Sequence, residues 1–322
     1  MRPAECGAAY GLRLQGCNRL PPGGYHYRLA RTVTYEDATS AVNMSAMKIY
    51  NTTAGVLLDH DGRRALCTDV GWDDLLNTEG LHRHLLQMHA GLKPFPAEPL
   101  QLTLLPPMQG QELWASGVTY LRSKVERQEE SKDSGGGDFY QRVYEAERPE
   151  LFFKATRHRV VGHGGAVRIR ADSSWNVPEP ELALVLNRRG TIVGYTIGND
   201  MSSRSIEGEN PLYLSQAKIY DGCAALGPCV LVCEGGFPSG AIIELSIVRD
   251  TRTVFEGSVA VSMITRRFED LAAWLFRECS FPQGALLMTG TGIVPPAPFT
   301  LQHGDTISIT IDPIGCLSNP VA

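Results

Sequence analysis

The chain has 322 residues, 43% of them hydrophobic and 20% charged, with a formal net charge of −5. That length buries a large core in one or two domains, and the slight acidic balance gives no electrostatic basis for binding nucleic acid or an anionic membrane. No apolar run approaches the roughly 18–20 residues of a membrane span, so neither nucleic acid nor membrane is expected as a partner. The opening residues MRPAECGAAYGLRLQGCNRL hold no continuous apolar stretch of a secretory signal. The eight cysteines, Cys6, Cys17, Cys67, Cys223, Cys229, Cys233, Cys279 and Cys316, lack the paired short spacings of a zinc site. Reduced thiols in a cytoplasmic protein are the expectation. Cys229 and Cys233 share one face of an expected strand, a geometry that would also suit a metal, and are read as small buried residues.

In chain order, YHYRLARTVTY (25–35) and GVLLDHDGRRALC (55–67) predict short strands, the second folded about an Asp61-Gly62 turn. WDDLLNTEGLHRHLLQMHAGL follows, with Leu75, Leu81, Leu85, Leu86 and Met88 near helical spacing and an interruption at Gly80. LKPFPAEP reads as a Pro-rich connection and LQLTLLPP (100–107) as a strand. YLRSKVERQEESKD (120–133) is charged and helix-prone. It runs into SGGGD (134–138), where adjacent glycines oppose regular structure, so this stretch is either a plain surface loop or a hinge beside a lid.

From about residue 151 strands dominate: LFFKA, AVRIR, ELALVL, TIVGYTIG, PCVLVC, IIELSIVRD, TRTVFEG, LLMTG and TISITID. One helix, RFEDLAAWLFREC, interrupts them, with Leu271, Trp274, Leu275 and Cys279 as its apolar stripe. Strands and helices do not alternate, which argues against a doubly wound fold and for a β-rich sandwich or roll. The chain divides into a small mixed N-terminal domain, residues 1–105, and a larger domain, residues 106–322.

The informative stretch is VPEPELALVLNRRGTIVGYTIGND (177–200). An apolar run, Leu182 to Leu186, is entered through Glu179 and Glu181, whose side chains point to one face of a strand. NRRGT reads as a turn and IVGYTIG as the returning strand. If Leu186 pairs near Ile192, the return brings Asp200 back beside Glu179. Three carboxylates gathered in a half-buried place repel one another, and a divalent cation removes that conflict. Oxygen-only ligation suits Mg²⁺, Mn²⁺ or Ca²⁺ rather than zinc. The alternative is that Glu179 and Glu181 are solvated strand-entry charges and Asp200 caps a turn. Arg204 and Lys218 follow closely. The first could clamp a carboxylate in bidentate fashion and the second could move protons, or both could be surface charges.

PEPELALVL, GYTIGNDMSSRSIEGENPLYLSQAKIYDGCAALGP and GALLMTGTGIVPP, spread over about residues 112 to 312, resemble the fumarylacetoacetate hydrolase superfamily. The resemblance implies a β-rich α+β fold with a mixed β-roll, a homodimer or homotetramer, and a Mg²⁺ site, with Mn²⁺ or Ca²⁺ as alternatives. It implies Glu179, Glu181 and Asp200 as the metal carboxylates, Lys218 as the active-site lysine, Arg204 as the motif arginine, and Thr291 of TGTG where a substrate carboxylate binds. Hydrolytic members carry a His–Glu pair on a lid. Here TYLRSKVE keeps Tyr120 and Glu126 but has Ser123 where that histidine would fall. A serine hydroxyl cannot accept a proton near neutral pH as an imidazole does.

VTYLRSK, RVYEAERPELFFKAT and ENPLYLSQAKIY are more similar to the sugar-acid dehydratase branch, which selects Glu150 as the catalytic partner of Lys218. The implied activity is Mg²⁺-dependent dehydration of a 2-keto-3-deoxy sugar acid, a pentonate giving 2,5-dioxopentanoate, with Ser123, Arg204 and Thr291 orienting the substrate. Two other readings stand beside it. One is hydrolysis of a carbon–carbon bond in a 2,4-diketo acid or acylpyruvate, and the other is a non-catalytic metal-stabilised binding protein.

Overall fold

The apolar run at Leu182–Leu186 belongs to a strand with two cores, one on each face. Leu182, Leu184 and Leu186 point into one cluster and Ala183 and Val185 into the other. The period of two therefore survives inside a run with no polar residue, because both sides of the strand are covered.

The computed structural model describes residues 46–95, 102–121 and 137–322, with side chains described from residue 141 onward in the last segment. The N-terminal part holds strands β1 (Ala46–Thr52), β2 (Gly55–His60) and β3 (Arg63–Cys67) and helices α1 (Trp72–Leu76) and α2 (Leu81–Gly91). Next come β4 (Glu112–Gly117), α3 (Gly137–Glu145), β5 (Glu150–Ala155), β6 (Val160–Val161) and β7 (Asn176–Val177). The central hairpin is β8 (Pro180–Leu186) and β9 (Ile192–Asp200), followed by β10 (Ser202–Ser203), α4 (Arg204–Glu209) and α5 (Leu214–Lys218). The chain closes with β11 (Ala224–Cys233), β12 (Ile242–Arg249), β13 (Arg252–Ala260), α6 (Phe268–Leu275), β14 (Ala285–Met288), β15 (Thr306–Ile311) and β16 (Gly315–Pro320).

Among the described residues, one large sheet runs β3-β2-β1-β11-β9-β8-β14-β4-β5, with β6 against β11, and a smaller one runs β13-β12-β15-β16. Ile243, Leu245, Ile247, Ile307 and Ile309 of the small sheet close over one face of the large sheet. On the opposite face Trp72, Leu75 and Leu85 of α1 and α2 pack on Met47, Ile49, Val185 and Met288. The result is a β-rich α+β layering of helices, large sheet and small sheet, as expected. β1 pairs with β11, so the large sheet itself runs across residue 105.

Local expectations met mixed outcomes. The turn at Asp61-Gly62 has both residues at positive φ, 50° and 81°, as a two-residue hairpin requires. The helical segment divides at Gly80, which sits in the left-handed region before α2. The described part of LQLTLLPP, residues 102–107, is not a strand. Leu104 makes a single bridge to Thr52, and Pro106 and Pro107 have no N–H to extend it. AVRIR also fails as a strand. Val167 bonds to Pro320 and Ala322 while the next amide, Arg168, turns to Gly222, so no single partner carries a ladder.

α6 stops at Leu275, and the Phe276 ring packs on Phe281 at 4.8 Å. Cys279 is thereby left exposed, outside the stripe it was expected to join. α3 begins at Gly137 and so takes in the end of SGGGD. YHYRLARTVTY and most of YLRSKVERQEESKD lie outside the described residues.

Leu184 has no exposed surface and contributes to the core between the two sheets. Replacing it by Ala should cost about 2–5 kcal/mol. Urea unfolding of Leu184→Ala checks this; a midpoint equal to that of the parent protein would show that the two sheets do not depend on this contact.

Candidate active site

The β8–β9 hairpin builds the site through its register. Leu186 pairs with Ile192 and Pro180 with Asn199, and the Asp200 N–H donates to the Glu179 carbonyl at 2.9 Å. Asp200 therefore returns beside Glu179, and one oxygen from each of Glu179, Glu181 and Asp200 lies within 4.8 Å of the others. Their relative exposures are only 4%, 2% and 1%. The solvated strand-entry alternative is thus excluded.

Three buried carboxylates need compensation, and each has it. Glu181 Oε2 accepts from the Gly290 N–H at 2.5 Å. Gly290 has a φ of 91°, and a Cβ there would strike the Thr119 side chain, so the donor sits where only glycine fits. Burial, and then the nearby Asp200 and Glu179 charges, hold the Glu181 carboxyl well above its ordinary value, with the Gly290 N–H pulling the other way. Glu179 receives Arg204 Nη2 on Oε1 at 2.5 Å and Lys218 Nζ on Oε2 at 2.7 Å. Asp200 accepts from Lys218 Nζ on Oδ2 at 3.2 Å and forms an ion pair with Lys154 Nζ, 2.5 Å from Oδ1.

Both cations named from the sequence are buried rather than on the surface. Lys218 ends the short α5 and also donates to Ser202 Oγ at 2.6 Å, with its Nζ 5.7 Å from the centre of the Phe152 ring. Arg204 opens α4, and its Nε is 3.8 Å from Glu207 Oε2. Its guanidinium is therefore held between two glutamates. Gly117, Glu179, Arg204, Lys218, Gly290 and Thr291 all border one narrow cleft. Thr291 uses its hydroxyl locally, donating to the Ile293 carbonyl at 3.1 Å and accepting from the Ile293 N–H at 3.2 Å.

Glu150 begins β5 opposite Gly117. A Cβ on Gly117 would run into the Glu150 carboxylate, so this glutamate lies against a residue that lines the cleft because that neighbour has no side chain. It also borders a larger, mainly apolar recess shared with Glu207, Arg142 and Arg148. Ser123 and Glu126 lie outside the described residues.

Sequence reasoning missed Lys154 and Ser202. Lys154 is fully buried on β5. The signal for it was present: a lysine inside the apolar strand LFFKA can be buried only if it is paired. The three carboxylates form an oxygen-only donor set, convergent and shielded from water, that fits a hard divalent cation.

Comparison with known proteins agrees with this geometry. The protein described as "Probable 2-keto-3-deoxyxylonate dehydratase" from Haloferax volcanii is 50% identical over 216 residues, 67% of this chain and 73% of that protein. The 2-dehydro-3-deoxy-D-arabinonate dehydratase of Saccharolobus solfataricus is 45% identical over 232 residues, 71% of this chain and 77% of the relative. A solved structure of 2-keto-3-deoxy-D-arabinonate dehydratase, complexed with magnesium and 2,5-dioxopentanoate, superposes with a TM-score of 0.71 at 35% identity, covering 86% of this chain and 98% of that one. The family profile described as "Fumarylacetoacetate (FAA) hydrolase C-terminal" matches residues 113–322, and the chain belongs to the fumarylacetoacetate hydrolase family.

Proposed function

We propose that this chain is a Mg²⁺-dependent dehydratase of a 2-keto-3-deoxy sugar acid, with a pentonate as substrate and 2,5-dioxopentanoate as product. The observation that carries the proposal is the buried triad of Glu179, Glu181 and Asp200 with the Lys218 ammonium lying on two of its members. Relatives with dehydratase names, at 50% and 45% identity, support the choice of reaction.

Glu179, Glu181 and Asp200 would hold the cation. Bound there, a divalent cation supplies Lewis acidity to the 2-keto oxygen and carboxylate of the substrate. Glu150, packed against Gly117, takes a proton from C3. Lys218 donates a proton to the C4 hydroxyl, which leaves as water as the C3–C4 double bond forms. Transfer of a proton from C5 to C3 then converts the allylic alcohol through its enol into the C5 aldehyde of the 2,5-dioxo acid. Arg204, held by Glu179 and Glu207, borders the same cleft and would orient the polar end of the substrate. Thr291 borders the same cleft and would orient the carboxylate, and the resemblance adds Ser123 as a substrate-orienting residue.

The direct test is mass spectrometry of the protein with 2-keto-3-deoxypentonate and Mg²⁺, with an acylpyruvate in parallel. The expected product is lighter than the pentonate by one water and does not form in EDTA. Cleavage of the acylpyruvate with the pentonate unchanged would instead establish hydrolysis. Within that assay, Lys218→Met and Glu150→Gln should each lower kcat by about 10²–10⁴-fold. Full activity in either variant would remove that residue from the proton transfers.

The raised Glu181 carboxyl carries a pH signature for the metal-free protein. Above the ordinary value of 4.5 the folded state retains a proton that the unfolded state has lost, so this group's contribution to stability falls as pH rises toward the raised folded value. A bound cation takes the place of that proton. The increase in Tm on adding Mg²⁺ should therefore grow with pH above this point. Thermal unfolding with and without Mg²⁺ across pH measures it, and a Mg²⁺ effect independent of pH would contradict the coupling.

A further inference from the structure

We propose that Lys154 is a positioning residue that sets the geometry between Asp200 and Lys218, a role that rests on the proposed metal site. Lys154 has no exposed surface. Its Nζ makes three polar contacts: Asp200 Oδ1 at 2.5 Å, the Met201 carbonyl at 2.9 Å and the Lys218 carbonyl at 2.5 Å. Two of its N–H donors go to the carbonyls, and the contact with Asp200 is an ion pair. The three acceptors come from two separate segments. Asp200 ends β9 and Met201 follows it, while Lys218 ends α5.

A single side chain thus ties the carboxylate of a metal ligand to the backbone of the lysine that moves protons. The Tyr220 ring, 5.9 Å from Nζ, helps cover the group. The strand that supplies Lys154 also supplies Phe152, beside the Lys218 Nζ, and Glu150, three residues that share one face of β5.

With Oδ1 of Asp200 paired to Lys154, the carboxylate is fixed so that Oδ2 faces Lys218. Without that tie, Asp200 can rotate and the end of α5 can move away from β9. Two effects of removing Lys154 then oppose each other. Loss of a nearby positive charge tightens cation binding, whereas loss of ligand orientation weakens it. The sign of the change separates a positioning residue from a mere buried counter-charge.

The measurement is Mn²⁺ binding to metal-free protein, read from the free-Mn²⁺ EPR signal, for the parent chain and for Lys154→Met, whose unbranched apolar chain fills similar space. The expected result is Mn²⁺ affinity lowered by about tenfold or more, the scale of lost support to a metal ligand. A folded Lys154→Met protein that binds Mn²⁺ as tightly as the parent, or more tightly, overturns the proposal even if its Tm has fallen. Should that variant not fold, Lys154→Gln is read in the same way: weaker Mn²⁺ binding supports positioning, and equal or tighter binding overturns it. A parent chain that takes up no Mn²⁺ overturns the metal reading itself, and this shows before any variant is compared.

Discussion

Everything about this site depends on keeping three carboxylates together out of water. Glu179, Glu181 and Asp200 are almost fully buried within a few ångströms of one another. Left alone they would drive the hairpin apart or take up protons. The protein meets this constraint with Lys218, Arg204 and Lys154, each as deeply buried as the acids, and with one backbone N–H from Gly290. Removing one partner from a buried ion pair costs about 3–5 kcal/mol, because the other charge stays behind in a poor solvent. The cluster is accordingly held as a unit.

The fold explains how so many charges reach one place. β8 and β9 lie in the middle of the large sheet, covered on one face by the small sheet and on the other by α1 and α2. The ends of these strands, rather than their centres, carry the acids. The chain then turns immediately into α4 and α5, which return Arg204 and Lys218 to the strand ends they have just left. β5, at the edge of the sheet order, contributes Lys154 in depth and Glu150 beside Gly117. Close approaches are kept open by glycine at Gly290, where a side chain would strike Thr119, and at Gly117, where it would displace the Glu150 carboxylate.

Much of this was legible in the sequence, for reasons that can be named. The hairpin was readable because a short NRRGT turn leaves few registers, and the observed pairing of Leu186 with Ile192 then fixes Asp200 beside Glu179. The helical segment and its break at Gly80 followed from spacing and one glycine. What escaped depended on partners distant in sequence. AVRIR alternates like a strand, but its neighbours are the chain's last residues and the turn at Gly222, contacts that no local pattern reports. Lys154 was passed over because a lysine in a strand is usually at the surface; its acceptors lie on segments beginning some 46 residues further along the chain. The apolar stripe of α6 was extended too far because the pattern does not show where Phe276 turns aside to Phe281.

The claim on which the rest stands is that the triad is a cation site. The most direct measurement is anomalous diffraction from crystals of the protein soaked in Mn²⁺. One strong peak is predicted between Glu179, Glu181 and Asp200, with a carboxylate oxygen of each at about 2.1 Å. Density at that position without anomalous signal, or a Mn²⁺ peak elsewhere with the triad still bonded only to Lys218, Arg204 and Lys154, would contradict it and leave the three acids as a closed ion-pair cluster.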